Sequence, residues 1–258
     1  MNDIASPSTA LPQPPPPPLY RAPAPPPRQG LFSSFSDDFK PIEAPISLTV
    51  VLEHLLKSPG RVACEIAQGR AAPVMIWLGL ILALAMLAYG FVVGTFSGGM
   101  QLWVVPLKIL GGLCFAALIC LPSLYIFSCL SGARQSVRTV AGIFLQSLTM
   151  SGVLLVGFAP VAWLFSQSTH AAAFIGFLHI VFWLVAMVLS LSLLTCAIET
   201  MNRRRFGVLR VWSVIFIMVA MQVATMVRPL VGPYAGLGFQ EKRFFAAHWL
   251  NCMDKDLP

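Results

Sequence analysis

The sequence has few charged residues: Asp, Glu, Lys and Arg make up 10% of its 258 positions, while 57% of positions are hydrophobic. Soluble domains carry roughly 25% charged residues, so this chain cannot cover a water-facing surface. The scarcity of charge excludes an ordinary soluble protein and predicts that the lipid bilayer is the main solvent. The net charge of +7 therefore indicates membrane orientation and attraction to anionic lipid, and we expect no nucleic-acid partner.

The sequence also lacks the motifs of enzymes and of metal sites. Its six cysteines form no CxxC pair, and no Cys/His cluster has metal-ligand spacing. HExxH, P-loop and GxGxxG motifs are absent. We therefore predict no catalytic residues, no metal, no cofactor and no enzymatic activity. A signal peptide is not expected either, because the first apolar run begins near residue 73.

Long apolar runs are abundant. Each is near the ~20 residues that a bilayer core requires, and backbone groups in lipid must be satisfied within a helix. We predict an all-α, polytopic membrane bundle of about five transmembrane helices over residues 72–228. The predicted spans are Val74–Phe96, Val104–Leu130, Val140–Phe165, Ala171–Ile198 and Val208–Val227.

Arginines occupy alternate loops between these runs. The second loop has Arg134 and Arg138 and the fourth has Arg203, Arg204 and Arg205, whereas the first and third loops have no Lys or Arg. Basic loops lie on the cytoplasmic side, where they also meet lipid headgroups. We predict a multi-pass membrane protein with a cytoplasmic N-terminus and an exterior C-terminus, although Lys242 and Arg243 in the C-terminal tail run against the rule.

Residues 1–40 form a polar, proline-rich tail that includes PPPPPLYRAPAPPPR from Pro14 to Arg28. Consecutive prolines favour extended polyproline II and cannot pack into a core, so we predict a disordered segment. The alternative to a plain spacer is a ligand for the aromatic groove of a protein partner, which the flanking Arg21 and Arg28 suit.

Residues 41–71 predict two short amphipathic helices before the first span. Ser58 is the expected N-cap of the second helix, with Pro59 at its first position and Gly69 at its end. They are too short to cross a bilayer, so they lie along the interface or cap the bundle.

Charged side chains on these two helices are spaced for pairing. Glu53 with Lys57, and Arg61 with Glu65, stand four residues apart, which predicts two ion pairs on the helix surfaces.

Few polar side chains fall inside the spans. His179, two turns into the fourth span, is the candidate intramembrane polar site, although a lone neutral His can also hydrogen-bond across helices. Gln146 and Gln222 predict contacts between helices, and Glu199 predicts an ion pair with the arginines of the fourth loop. Lys108 can extend its stem to the headgroups.

Small residues recur in the first span, where Gly90, Gly94 and Gly98 repeat every four positions. Such a stripe lets helix backbones approach closely, within the chain or in a homo-oligomer. Pro122 and Pro160 lie inside spans and are expected to kink them.

Residues 229–258 begin as a turn-rich exit from the fifth span. From Phe239 onward, Phe245, Trp249 and Leu250 fall on one helical face beside the basic Lys242 and Arg243, which predicts a short helix lying in the headgroup region. The alternative is a disordered exit tail.

The stretch Tyr89–Leu130, with LLKSPGRVACEIAQG before the first span, resembles the bacterial branch of the Yip family. These are five-span proteins whose eukaryotic relatives interact with Rab GTPases. The resemblance implies a short helix with a Pro near its start, here Pro59, and an inter-span loop carrying Pro106 and Lys108. It also implies a location in the bacterial inner membrane and a role in membrane organisation or trafficking, without enzymatic activity.

These features predict a non-enzymatic membrane scaffold or adaptor that acts through protein contacts. The alternative is a small permease or channel component with His179 and the proline-containing spans along its path.

Overall fold

The computed structural model describes Phe35 and residues 38–97, 99–168, 172–202 and 207–226. Within these residues the chain forms seven α-helices and no strand, which confirms the all-α prediction. In chain order the helices are α1 (Leu48–Lys57), α2 (Pro59–Ala67), α3 (Ala71–Ser97), α4 (Gln101–Leu130), α5 (Val137–Ser168), α6 (Ala172–Asn202) and α7 (Gly207–Met226). Most of the proline-rich tail and the whole segment 229–258 lie outside the described residues.

Helices α3 to α7 are long and apolar enough to cross a bilayer. Their apolar stretches cover 18 to 32 residues, against the roughly 20 that a hydrocarbon core of ~30 Å requires. A helix satisfies its own backbone hydrogen bonds, which is the condition for crossing a medium without water. The prediction of five spans is confirmed, and the chain is a multi-pass membrane protein.

Helices α3 and α5 pack against each other at the centre of the bundle. Helix α4 lies beside α3, α6 lies beside α5, and α7 packs mainly on α4, whereas α4 and α5 touch only marginally. Short connections make successive spans antiparallel. The starts of α3, α5 and α7 and the ends of α4 and α6 therefore share one end of the bundle, which we call the capped end.

Helices α3 and α4 approach closely where Gly90 faces Pro106. A Cβ atom added to Gly90 would lie 2.5 Å from the Cα atom of Pro106, so only glycine fits there. The connection between the helices is short and includes Gly99 at a φ of 56°. Pro106 and Lys108 consequently lie within α4, not in the inter-span loop that the family resemblance implies.

Two prolines inside the spans do not interrupt them. Helix α4 continues through Pro122 and α5 continues through Pro160. Proline is tolerated in membrane helices because neighbouring groups satisfy the carbonyl that loses its donor.

The two short helices have distinct termini. Ser47 caps α1, its side chain accepting a hydrogen bond from the Val50 amide. Pro59 is the first residue of α2, as expected, but the Ser58 side chain makes no cap hydrogen bond; its hydroxyl pairs with His54 Nδ1 at 3.0 Å. Gly69, at a φ of 95°, follows α2 and turns the chain into α3.

Helix α2 is buried on nearly all sides because it packs between α1, α3 and α5. Its Ile66 side chain lies against Gly142 of α5, where an added Cβ would come within 2.6 Å of Ile66. The segment before α1 covers its other side: Phe35 and Ile42 are buried, and the Phe35 carbonyl would be 2.7 Å from a Cβ on Gly60. We call Phe35 and residues 38–67 together the cap.

Candidate functional site: polar contacts in the bundle and its cap

Polar side chains are concentrated on α5, at the centre of the bundle. Gln146, Ser147, Thr149 and Ser151 are all fully buried. Gln146 Nε2 donates to the Pro59 carbonyl of α2 at 2.8 Å, which confirms Gln146 as a contact between helices. Its partner belongs to the cap rather than to another span.

The next polar residues of α5 reach two further helices. Ser147 Oγ donates to the Ser190 carbonyl of α6 at 2.7 Å, and Thr149 Oγ1 lies 3.1 Å from the Leu78 carbonyl of α3. Because a hydroxyl without a partner in a dry interior costs free energy, the Ser147 bond favours one arrangement of α5 and α6. The single proton of Thr149 Oγ1 has a nearer acceptor in its own helix, the Leu145 carbonyl at 2.8 Å. The sequence signal for these serine and threonine contacts is the polar run QSLTMS, which continues from Gln146 within an otherwise apolar span.

His179 lies in α6 and hydrogen-bonds across helices. Its Nδ1 atom is 2.8 Å from the hydroxyl of Tyr89 in α3, and the two rings meet edge to face at a centroid distance of 5.7 Å. Tyr89 is only 3% exposed, so the pair lies between α3 and α6. The structure thus places a second titratable side chain beside His179, and the separation of 90 residues along the chain hides this contact from the sequence.

Helix α7 is held by an aromatic cluster and a hydrogen bond. Phe144 of α5 meets the stacked rings of Trp212 and Phe216, both fully buried, edge to face. The Trp212 indole donates to Ser123 Oγ of α4 at 2.9 Å. Indole nitrogen needs a partner when buried, so this bond sets the position of α7 against α4.

A buried carboxylate holds the cap together. Glu65 of α2 is fully buried; its Oε1 accepts the Ile42 amide at 2.7 Å and its Oε2 lies 3.2 Å from Arg70 Nε. The predicted pair of Glu65 with Arg61 is wrong. Val62, Glu65 and Ile66 all face the protein interior in the docked helix, so the carboxylate pairs with groups that reach it there.

The cap has ionisable side chains on its exposed surface and in its buried interior, and the pKa shifts of the two kinds have different causes. The predicted pair of Glu53 and Lys57 on α1 is confirmed at 2.9 Å, and this exposed contact lowers the pKa of Glu53. On α2, burial raises the pKa of the Cys64 thiol, to whose sulfur Gln68 donates at 3.0 Å. A thiol of raised pKa holds little thiolate at neutral pH and is therefore a poor nucleophile.

Of the predicted glycine stripe, Gly90 makes the close contact with α4 described above. Gly94 is buried in α3, and Gly98 lies outside the described residues. The contact at Gly90 is within the chain.

Two of the five arginines from which we predicted the membrane orientation are among the described residues, and both lie at the capped end. Arg134 and Arg138 are exposed, in the α4–α5 connection and the first turn of α5. Arg203, Arg204 and Arg205 lie outside the described residues, so the expected ion pair of Glu199 stays a prediction. Lys108 is half-buried on α4.

Within the described part of the chain, no three His, Cys, Asp or Glu side chains are grouped so as to hold a metal ion. Comparison with family models, with curated proteins and with solved structures gives no match for this chain. The resemblance to the Yip family stays a prediction.

Proposed function

We propose that the protein is a non-enzymatic scaffold or adaptor of the bacterial inner membrane that acts through protein contacts. The bundle anchors the chain in the bilayer, and the N-terminal tail recruits a partner through its proline-rich segment. The N-terminus and the capped end face the cytoplasm in this proposal, and membrane organisation or trafficking is the process served.

The observation that carries the proposal is the docked cap. Phe35 is 1% exposed and Ile42 is 2% exposed, so the chain is fixed to the bundle immediately after the tail. A ligand segment that precedes Phe35 is thereby tethered at the membrane surface. Its partner would be concentrated beside the capped end, which is what an adaptor requires.

The use of the buried polar groups also supports a scaffold. The side chains of Gln146 and Ser147 each donate to a carbonyl of a neighbouring helix. Such bonds rigidify a bundle, whereas a polar path needs groups that stay available to a substrate or an ion.

Affinity capture from detergent tests the proposal. The comparison is between the full chain, a chain that lacks residues 1–33, and a full-length chain with alanine at positions 14–18. The truncation stops before Phe35 so that the cap stays intact. We expect both altered chains to lose a partner that the full chain captures, with unchanged elution as single species. Equal capture by all three chains would remove the tail from the proposal.

Reporter fusions test the membrane side. We expect fusions at residues 20 and 135 to report cytoplasm and a fusion at residue 250 to report the exterior. A cytoplasmic signal at 250 would contradict the proposed orientation of the C-terminus.

A permease or channel component is the second candidate, and the pair of His179 and Tyr89 is the observation that favours it. A histidine at membrane depth is rare outside functional sites, and this one contacts the Tyr89 hydroxyl. A transport defect in His179→Ala with normal stability would favour this candidate over the scaffold.

A further inference from the structure

An apolar groove runs between α4 and α5 on the outside of the bundle. It exists because both helices pack on neighbours and hardly touch each other; Leu82 of α3 forms part of its lining. The groove has a volume of about 230 Å³. Apolar cavities of about 150 Å³ hold a six-carbon ring, so this space fits several methylene groups.

The walls of the groove carry no charged side chain. On α4 they include Cys114, Ala117 and Leu121, and on α5 they include Ala141 and Leu148. Cys114 is exposed, so the groove opens at the surface of the bundle. Its α4 and α5 residues all lie within stretches that are apolar enough to cross the membrane. The medium that meets this opening is lipid.

The α5 wall of the groove continues to an arginine. Arg138, Ala141, Leu145 and Leu148 follow at spacings of three or four residues, so they lie within about 80° of each other around the helix. Arg138 is exposed at the capped end, and Arg134 is exposed in the connection just before it. Two cations therefore lie where this apolar strip ends.

The length of this strip matches one leaflet. Ten residues separate Arg138 from Leu148, which is about 15 Å along a helix at ~1.5 Å per residue. A hydrocarbon core is ~30 Å thick, so one acyl chain extends through about 15 Å. A phospholipid whose phosphate contacts the two arginines would therefore have its acyl chain alongside the groove.

Within the part of the chain that the structure describes, neither arginine forms an ion pair. The ion pairs of the described residues involve Lys57 and Arg70, and no carboxylate lies within 4.0 Å of Arg134 or Arg138 among them. Glu199 is the one acidic residue in helices α3 to α7, so the spans of a second copy packed side by side would offer the arginines little negative charge. Anionic lipid offers phosphate oxygens, which arginine binds through paired N–H donors.

We propose that the groove between α4 and α5 is a binding site for one anionic phospholipid, with an acyl chain against Ala117 and Leu145 and the phosphate on Arg134 and Arg138. The lipid fills the gap between two helices that do not pack on each other, and thereby completes the bundle.

Native mass spectrometry of the full-length protein in detergent tests the site. The probes are phosphatidylglycerol and phosphatidylcholine with the same acyl chains, and glycerol phosphate as a headgroup without chains. We expect phosphatidylglycerol to bind in preference to phosphatidylcholine, and glycerol phosphate not to be retained. An arginine near an anionic headgroup contributes a factor of about five, so the double variant R134Q/R138Q should weaken phosphatidylglycerol binding on the order of 30-fold.

Matched variants separate the two halves of the site. Ala117→Phe fills the groove and should reduce the retention of both phospholipids. Val188→Phe adds the same ring at a lipid-facing position of α6, where Val188 is exposed, and should change nothing. Arg210→Gln removes an exposed arginine from α7 at the same end and should leave binding intact.

Equal phosphatidylglycerol binding by the wild type and R134Q/R138Q would overturn the proposal, as would an equal loss in Arg210→Gln. A dimer that Ala117→Phe dissociates, without any lipid preference in the monomer, would assign the groove to a second copy instead. If R134Q/R138Q is unstable, Arg134→Lys with Arg138→Lys keeps the charges and should retain most of the preference.

Discussion

Helices α3 and α4 are almost equally apolar but occupy different places in the bundle. Their mean hydropathies are 2.4 and 2.3. Yet 44% of the apolar stretch of α3 is buried inside the protein, compared with only 28% of the apolar stretch of α4. Helix α3 contacts α5 at the centre, whereas α4 leaves side chains such as Trp103 and Leu118 exposed to lipid. Hydropathy thus identifies a span without saying which neighbours it has, because lipid and protein interiors are similarly apolar.

What distinguishes the inner helices is the presence of small and hydrogen-bonding residues. Helix α5 has the same mean hydropathy as the less buried α7, 1.9, but its buried Gln146 and Ser147 side chains donate to carbonyls of α2 and α6. The outer helix α4 makes its closest contact where Gly90 of α3 admits Pro106. Contacts between apolar helices in lipid depend on such close approaches and polar links, since no hydrophobic driving force separates protein from lipid.

The largest expected effect comes from disrupting the closest contact of the two helices. Gly90→Leu places a side chain where a Cβ already lies 2.5 Å from the Pro106 backbone. Overpacking costs typically ~1–3 kcal/mol, and the rigid backbone here puts the cost at the upper end or above. Thermal unfolding followed by size-exclusion chromatography in detergent should show a large drop in stability.

Gly111→Leu is the matched control on the outer helix. An added Cβ at Gly111 meets no atom within 4 Å, so the leucine extends into lipid. We expect wild-type stability; equal destabilisation by the two variants would mean that helix packing at Gly90 is not the cause.

The next effect concerns the cap. Glu65→Ala removes the acceptor of the buried Ile42 amide and leaves that amide unsatisfied, at a cost of about 1–3 kcal/mol. In a variant that keeps only Cys64, we expect faster maleimide labelling after this change. Undocking exposes the buried thiol and relieves the rise in its pKa, and the loss of the neighbouring Glu65 charge lowers that pKa further.

Glu53→Gln serves as the control for the cap, since it removes an exposed pair with Lys57. Solvent screens such pairs, so Cys64 labelling should not change. Slow labelling in Glu65→Ala would contradict the assignment of Glu65 as the side chain that anchors the segment before α1.

The smallest expected effect is at the link between α3 and α6. Tyr89→Phe removes the hydroxyl bonded to His179, and such interhelical bonds couple by about 0.6 kcal/mol on average. A double-mutant cycle of Tyr89→Phe and His179→Ala in detergent unfolding measures this coupling. A coupling near zero would mean that the two side chains do not interact energetically.

Much of the fold could be predicted from the sequence, because each span is a continuous apolar run of bilayer length. Pro59 and Gly69 also placed the ends of α2, since their backbone preferences act locally. The partners of Glu65 and His179 could not be predicted. Arg61 was the nearest cation in sequence, but the docking of α2 turns Glu65 toward Ile42 and Arg70.

The sequence by itself determined the number of spans, their approximate limits and the alternation of basic loops, because these depend on transfer from water to lipid and on charge. Tertiary structure alone decided which spans are central, that the short helices dock on the bundle, and that Tyr89 meets His179. It also decided that a groove stays open between α4 and α5. The physical reason is that these features depend on side-chain shape and on hydrogen-bond partners distant in sequence, to which hydropathy along the chain is insensitive.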